Sequence, residues 1–181
     1  NTLALQRSRQ NDSLIDKIGH HVLTKNNCTF REGAFAEIIA NDERVLNGPG
    51  INIPTISLTR YPYPEYHTSD DNLSIIQESK LVESARLIEE IVRIYATNYF
   101  PVRKFRGPVF LSGYGLYVDW QDDWELNRNI EKIMMRFEGA QSVFDIVDEL
   151  NLDYWDARKY IEKFRMNDLI EIIPIPKIAE V

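Results

Sequence analysis

The sequence has a single cysteine, Cys28, in 181 residues. A lone thiol excludes an internal disulfide framework and a multi-cysteine zinc ribbon. It suits a reducing compartment, so a cytoplasmic location is the expectation. Histidine is scarce too, with only His20, His21 and His67. Positive charge is in short supply: 21 Lys and Arg stand against 28 Asp and Glu, a formal net charge of −7. The chain as a whole therefore has no electrostatic footprint for nucleic acid. No apolar run is long enough to span a bilayer, no signal-peptide pattern is present, and no membrane contact is expected. What remains is an ordinary globular composition, 44% hydrophobic and 27% charged, in a length that suits one large domain or two small ones. The chain opens at Asn1 rather than Met, with Leu3-Ala4-Leu5 already strand-like. It is expected to be the later part of something longer.

Three pieces follow from the pattern of breakers and periodicity: 1–100, a connector over 101–124, and 125–181. In the first, Thr2 to Leu5 reads as a buried strand. Ser13 with Asp16 three residues on forms a capping-box pattern ahead of Ile15, Ile18 and Val22, which predicts a helix to about Lys25. Gly33 to Ala40 reads as a second helix, and Asn41 to Arg44 as a charged turn. Asn47-Gly48-Pro49-Gly50 is the strongest breaker. Ile51, Ile53, Ile56 and Leu58 read as a strand, and residues 60–72, with two prolines, as an extended loop. A long helix is predicted over Glu78 to Tyr99, with Leu81, Ala85, Ile88, Val92 and Tyr95 as its buried face. Alternating strands and helices point to an α/β layer architecture.

In the connector, Gly113 and Gly115 among apolar residues over Val109 to Val118 suggest a hairpin. In the third piece Leu126, Ile130, Ile133 and Phe137 mark a helix ended by Gly139. Ser142 with Asp145 caps a second helix, and Asp153 caps a third whose Ala157, Ile161 and Phe164 face inward. Residues 168–175 read as a strand. Helix, short helix, turn, helix, strand is a winged-helix order. Its charge argues against DNA: Leu126 to Val181 holds eight basic and eleven acidic residues, which repels a phosphate backbone. Arg158, Lys159 and Arg165 are the one local basic patch.

His67 is the chemistry-bearing residue to single out. It follows Tyr66 in a proline-bounded loop and precedes Asp70 and Asp71. A neutral imidazole there can ligate a transition metal, with a carboxylate orienting its other nitrogen. One histidine is a weak signal, because zinc wants several ligands. The competing reading is a surface histidine. His20 and His21 point about 100° apart on a helix and rarely chelate one ion together. Cys28 has no nearby basic activator. Asp42-Glu43-Arg44 reads as a solvated turn, with loop binding as the alternative.

The segments Asp42 to Arg44, Pro49 to Pro54, Ser57 to Arg60 and above all Pro64-Glu65-Tyr66-His67-Thr68-Ser69-Asp70-Asp71-Asn72 resemble a bacterial family of aminopeptidase-like proteins often associated with polysaccharide biosynthesis genes. The resemblance extends through Gly113 to Tyr117 into the last piece. Tyr-His-Thr followed by an acidic residue is similar to the end of the catalytic domain in zinc aminopeptidases. The resemblance implies the C-terminal part of a three-layer α/β/α domain, followed by a small winged helix. It implies two zinc ions, a water made nucleophilic by them, and hydrolysis of a peptide or amide bond. His67 then falls at the last metal ligand. Tyr66 borders the substrate, Asp70 and Asp71 support the histidine, and Asp42 and Arg60 line the substrate pocket. The family's remaining ligands and its general base have no counterpart between Asn1 and Val181. This chain alone is therefore expected to be inactive and to hold zinc weakly or not at all, its partner being the missing N-terminal half or a second copy. The alternative is a non-catalytic α/β and winged-helix module that binds protein or nucleic acid.

Overall fold

The structure, a computed structural model, describes residues 2–175. The first residue of the first piece and residues 176–181 of the third lie outside the described residues. The described chain clusters into two units, 2–96 and 97–175.

The first unit contains β1 (Thr2–Gln6), α1 (Leu14–Lys25), β2 (Phe30–Gly33), α2 (Glu43–Leu46), β3 (Ser57–Tyr61) and α3 (Glu78–Thr97). The strands form a sheet in the order β2-β1-β3. β1 runs parallel to β2, pairing Leu3 with Phe30, and antiparallel to β3, pairing Leu3 with Arg60. Parallel neighbours need a crossover, which α1 supplies. As the central strand, β1 buries Leu3, Ala4, Leu5 and Gln6 in succession, so Leu3 to Leu5 read as a continuous apolar run rather than an alternating one. α1 begins at the predicted capping box, with the Asp16 side chain accepting from the Ser13 backbone N–H at 2.9 Å. The same carboxylate accepts from the Ser8 N–H at 2.5 Å and the Ser8 hydroxyl at 2.6 Å, which ties the loop after β1 to the helix start. Gly19 lets α1 lie against the sheet: a β-carbon there would stand 2.9 Å from Ile56 Cδ1 and 3.4 Å from Leu5 Cδ1.

Four expectations in this unit are corrected. Gly33 to Ala40 is not a helix. Gly33 ends β2, and the amides of Ile38 and Ile39 both donate to the Gln6 side chain at 2.9 Å, while Ala36 takes a left-handed φ of 65°. Side-chain acceptors offered this backbone an alternative to helical bonds. The turn at Asn41 to Arg44 runs into α2, with Glu43 buried where its carboxylate accepts from Asn41 N and Gln6 Nε2. The strand expected from Ile51 begins only at Ser57. Pro54 has no N–H for the ladder, and Asn47, bonded to the Thr55 N–H and carbonyl, holds that stretch as a loop. The fourth correction concerns α3. Its buried residues are Leu87, Ile91 and Ile94, whereas Leu81, Ile88 and Val92 are 59%, 47% and 57% exposed. The helix carries two apolar faces, and the buried one is the face that the longer spacing pattern does not follow.

The second unit contains β4 (Tyr99–Arg103), α4 (Trp124–Asn127), α5 (Ile130–Met135), α6 (Val143–Glu149), α7 (Tyr154–Met166) and β5 (Ile170–Pro174). β4 and β5 pair antiparallel, Tyr99 with Pro174. The hairpin expected over Val109 to Val118 is absent. A 3-10 turn at Leu111–Tyr114 ends on Gly115 at φ 65°, and Leu116 is drawn into the core, its carbonyl accepting from the Tyr160 hydroxyl at 2.8 Å. The helix expected from Leu126 to Phe137 is split into α4 and α5. Asn127 and Asn129 turn their amides to the carbonyls of Val118 and Glu125 at 2.8 and 2.9 Å, local bonds that compete with helix continuation. Ile130, Ile133 and Phe137 are nevertheless buried. α6 and α7 start at the predicted caps Ser142 and Asp153. Phe164 of α7 meets Phe137 and Tyr160 edge-on at 5.3 and 5.4 Å between ring centroids. Gly139, at φ 75°, passes so close to β4 that a β-carbon would lie 2.9 Å from Val102 Cγ2.

Candidate functional site

β3 delivers the chain at Tyr61 to a loop that opens with a cis Tyr61–Pro62 peptide. Prolines at 62 and 64 remove two donors, and the loop closes on itself through successive turns. Tyr66 N donates to Tyr63 O at 3.3 Å, Thr68 N to Glu65 O at 3.0 Å and Asp71 N to Thr68 O at 3.2 Å. Polar side chains reinforce them, with Thr68 Oγ1 donating to Glu65 O at 2.7 Å and Asn72 Nδ2 to Asp70 O at 3.1 Å.

His67 sits at the apex of these turns with φ 62°. A non-glycine residue held left-handed carries backbone strain, and such positions cluster at functional sites. Its ring stacks on Tyr66, 3.9 Å between centroids at 22°, and Tyr66 in turn lies 5.8 Å from the ring of Tyr63. The Tyr63 hydroxyl donates to Asp71 Oδ1. That bond, favouring the protonated phenol, pushes the Tyr63 pKa up to about 12. Tyr66, His67 and Asp71 are thus linked in one aromatic and carboxylate chain, with Tyr63 as the joint. No described residue hydrogen-bonds the His67 ring nitrogens, and the ring is exposed. Asp70 contributes its backbone to the turns.

Arg60, at the end of β3, reaches α3. Its Nη2 lies 2.6 Å from Glu83 Oε2 and 3.5 Å from Ser84 Oγ. Lys80 Nζ is 3.0 Å from the same Glu83 oxygen, and these two cations hold the Glu83 carboxyl below the usual range. Arg60, Tyr63 and Glu65 line a cavity of about 600 Å³ together with the first turns of α3. Asp42 is not among its lining residues. It precedes α2, where its carbonyl accepts from Val45 N at 2.9 Å and its side chain makes no capping bond. The structure therefore brings Tyr66, His67 and Asp71 together, sets Arg60 on the adjoining cavity, and leaves Asp42 on another loop.

Sequence reasoning assigns no role to Tyr63, Glu65 or Glu83. Tyr63 and Glu65 fall inside the distinctive motif, which is a signal of sorts. Glu83 is found only by knowing that Arg60 and α3 meet. Cys28 lies near Glu83 and Glu90, and burial first, then these carboxylates, raise its pKa, the opposite of an activated thiol. In the second unit the basic patch of α7 is engaged: Arg165 Nε is 2.6 Å and Arg158 Nη2 3.6 Å from the Glu162 carboxylate. Among the described residues no group of three or more His, Cys, Asp and Glu is placed to hold a metal ion. Zinc takes about four such donors, so these residues alone do not fit it. No described helix is long and apolar enough to cross a membrane.

Residues 1–98, more than half of the chain, match the family model described as "Domain of unknown function (DUF4910)". The chain belongs to this family. The DUF4910 match takes in Asp42, Arg60, Tyr66, His67, Asp70 and Asp71. A protein of Clostridium acetobutylicum named "Putative polysaccharide biosynthesis protein with aminopeptidase-like domain" is 34% identical over 95 residues, 51% of this chain and 22% of the relative. A crystal structure described as a "putative peptidase" from the same organism superposes with a TM-score of 0.80 at 22% identity, over 96% of this chain and 39% of that one. At that identity the likeness is one of fold, a mixed α/β arrangement. The chain spans about a fifth of the length of the curated relative and two fifths of the solved structure.

Proposed function

We propose that this chain is the C-terminal portion of a zinc-dependent aminopeptidase-like hydrolase that cleaves a peptide or amide bond, and that it is inactive by itself. The observation that carries the reading is His67: an exposed imidazole with unbonded ring nitrogens on a strained backbone, stacked on Tyr66, inside residues 1–98 matched to the family, in a chain that is 34% identical over 95 residues to a relative named for an aminopeptidase-like domain. In the longer protein His67 supplies one metal ligand, Tyr66 and Asp71 hold its loop, Asp70 lies beside it, and Arg60, Tyr66 and Asp42 border the substrate. The other ligands come from residues that precede this stretch.

The reading extends to architecture. Both outer strands of the first unit's sheet, β2 and β3, have one edge without a described partner, and α3 presents an uncovered apolar stripe. Both are surfaces that further layers of a three-layer α/β/α domain would cover. In the second unit, α5, α6 and α7 followed by β5 on β4 support a winged helix, acting in protein contact rather than on DNA. The test is hydrolysis of aminoacyl-p-nitroanilides by the longer protein and by the 181-residue chain. Turnover by the longer protein alone, removed by a chelator and restored by zinc, is expected. Turnover that survives chelation, or none with any aminoacyl substrate, would overturn the reading.

A further inference from the structure

In the second unit, the stretch between β4 and α5 holds five exposed aromatic side chains. Phe110, Tyr117, Trp120 and Trp124 are 75%, 60%, 56% and 61% exposed, and Tyr114 is the fifth. A single exposed aromatic is ordinary, but a run of them in one segment is the composition of a contact surface. The backbone beneath them is fixed to the core. Asn167 Nδ2 donates to Tyr114 O at 3.2 Å, the Tyr160 hydroxyl to Leu116 O at 2.8 Å and Asn127 Nδ2 to Val118 O at 2.8 Å. Phe110 lies over Gly113, where a β-carbon would meet its Cδ1 at 2.6 Å. Asp119 O accepts from Asp122 N and Asp123 N at 3.1 Å, so Trp120 stands on a closed turn just ahead of α4. Rings carried on a fixed frame lose little freedom when a partner covers them.

Charge selects the occupant. Residues 107–127 contain Asp119, Asp122, Asp123 and Glu125 and not one Lys or Arg. Asp119 and Asp123 accept from the backbone N–H groups of Gln121 and Leu126 at 2.8 Å. The carboxylates of Asp122 and Glu125 are exposed and bond no described residue. An anionic ligand is repelled here, and a neutral one leaves the carboxylates uncompensated. A guanidinium meets both features, since it stacks flat on an indole or phenol and forks onto a carboxylate. We propose that this surface docks an arginine-rich segment of a partner protein, its side chains stacked on Tyr117, Trp120 and Trp124 and paired with Asp122 and Glu125. These five residues lie within nine consecutive positions, 117–125. The proposal goes beyond the hydrolase reading and does not rest on it.

The test titrates the 181-residue protein by calorimetry at about 50 mM salt with three probes: hexa-arginine and hexalysine, both acetylated and amidated at their ends, and the neutral sugar maltohexaose. Hexa-arginine is expected to saturate and to bind severalfold tighter than hexalysine, which has the same charge but no flat face. Maltohexaose should give no saturable heat. Trp120→Ala combined with Trp124→Ala should weaken hexa-arginine about tenfold and bring it close to hexalysine. Asp122→Asn combined with Glu125→Gln, at two exposed side chains that support nothing in the fold, should weaken both peptides severalfold. Equal affinity for the two peptides, full hexa-arginine affinity in either double variant, saturable binding of maltohexaose, or no saturable binding of hexa-arginine up to about 1 mM would overturn the proposal.

Discussion

His67 holds a conformation that a side chain with a β-carbon resists, at a cost of about 1–2 kcal/mol, and Tyr66 stacked on its ring helps to keep it there. Two substitutions separate these effects. His67→Ala keeps the strained backbone and loses the stack, so it should lower stability by about 1 kcal/mol. His67→Gly loses the stack but also the strain, and should leave the urea midpoint at or above the wild-type value. A glycine variant less stable than the alanine variant would contradict the account. At this scale the sequence is informative where the cause is local. The capping box of Ser13 and Asp16 and the proline-bounded loop around His67 were legible because their partners lie a few residues away. The Ser8 bonds to Asp16, the Gln6 bonds to Ile38 and Ile39, and the meeting of Arg60 with Glu83 were not, since each joins segments that only the folded chain brings together.

Elements were legible where apolar spacing and caps agreed. α6 and α7 start at Ser142 and Asp153 as their capping patterns require. α4 and α5 are not separable in the sequence because the apolar positions keep helical spacing through a break made by Asn127 and Asn129. β2 is not legible because four residues are too few to show alternation. α6 offers a test of its own. Its last residue, Glu149, accepts from Arg136 Nη2 at 2.5 Å and from Gln141 Nε2 at 2.8 Å. These bonds, Arg136 first, lower the Glu149 pKa from 4.5 to about 2. A carboxyl depressed on folding stabilises above its unfolded pKa, and that contribution is lost as pH falls through the folded value. The melting midpoint of wild type should therefore exceed that of Glu149→Gln above pH 4.5, and the two should converge toward pH 2. A gap that persists undiminished at pH 2 would refute this assignment.

At the scale of the whole molecule, α3 carries two apolar stripes, and regular spacing picks out the exposed one. Leu81, Ala85, Ile88, Val92 and Tyr95 form the more regular stripe, yet Leu87, Ile91 and Ile94 are the residues buried in the first unit. Periodicity identifies an apolar stripe without saying what covers it. If the regular stripe is reserved for the rest of a larger domain, the two faces answer differently to mutation. Ile94→Ala should destabilise the 181-residue chain by about 2–5 kcal/mol. Val92→Lys should change it by no more than about 0.5 kcal/mol, while lowering the melting temperature of the longer protein.

The central claim is that His67 is a metal ligand completed by residues outside this chain. Zinc content per polypeptide, measured by plasma mass spectrometry on the longer protein and its His67→Ala variant, addresses it most directly. The account predicts stoichiometric zinc in the wild type and a marked loss in the variant with the fold retained. A longer protein without zinc, or one whose zinc is unchanged by His67→Ala, would contradict it.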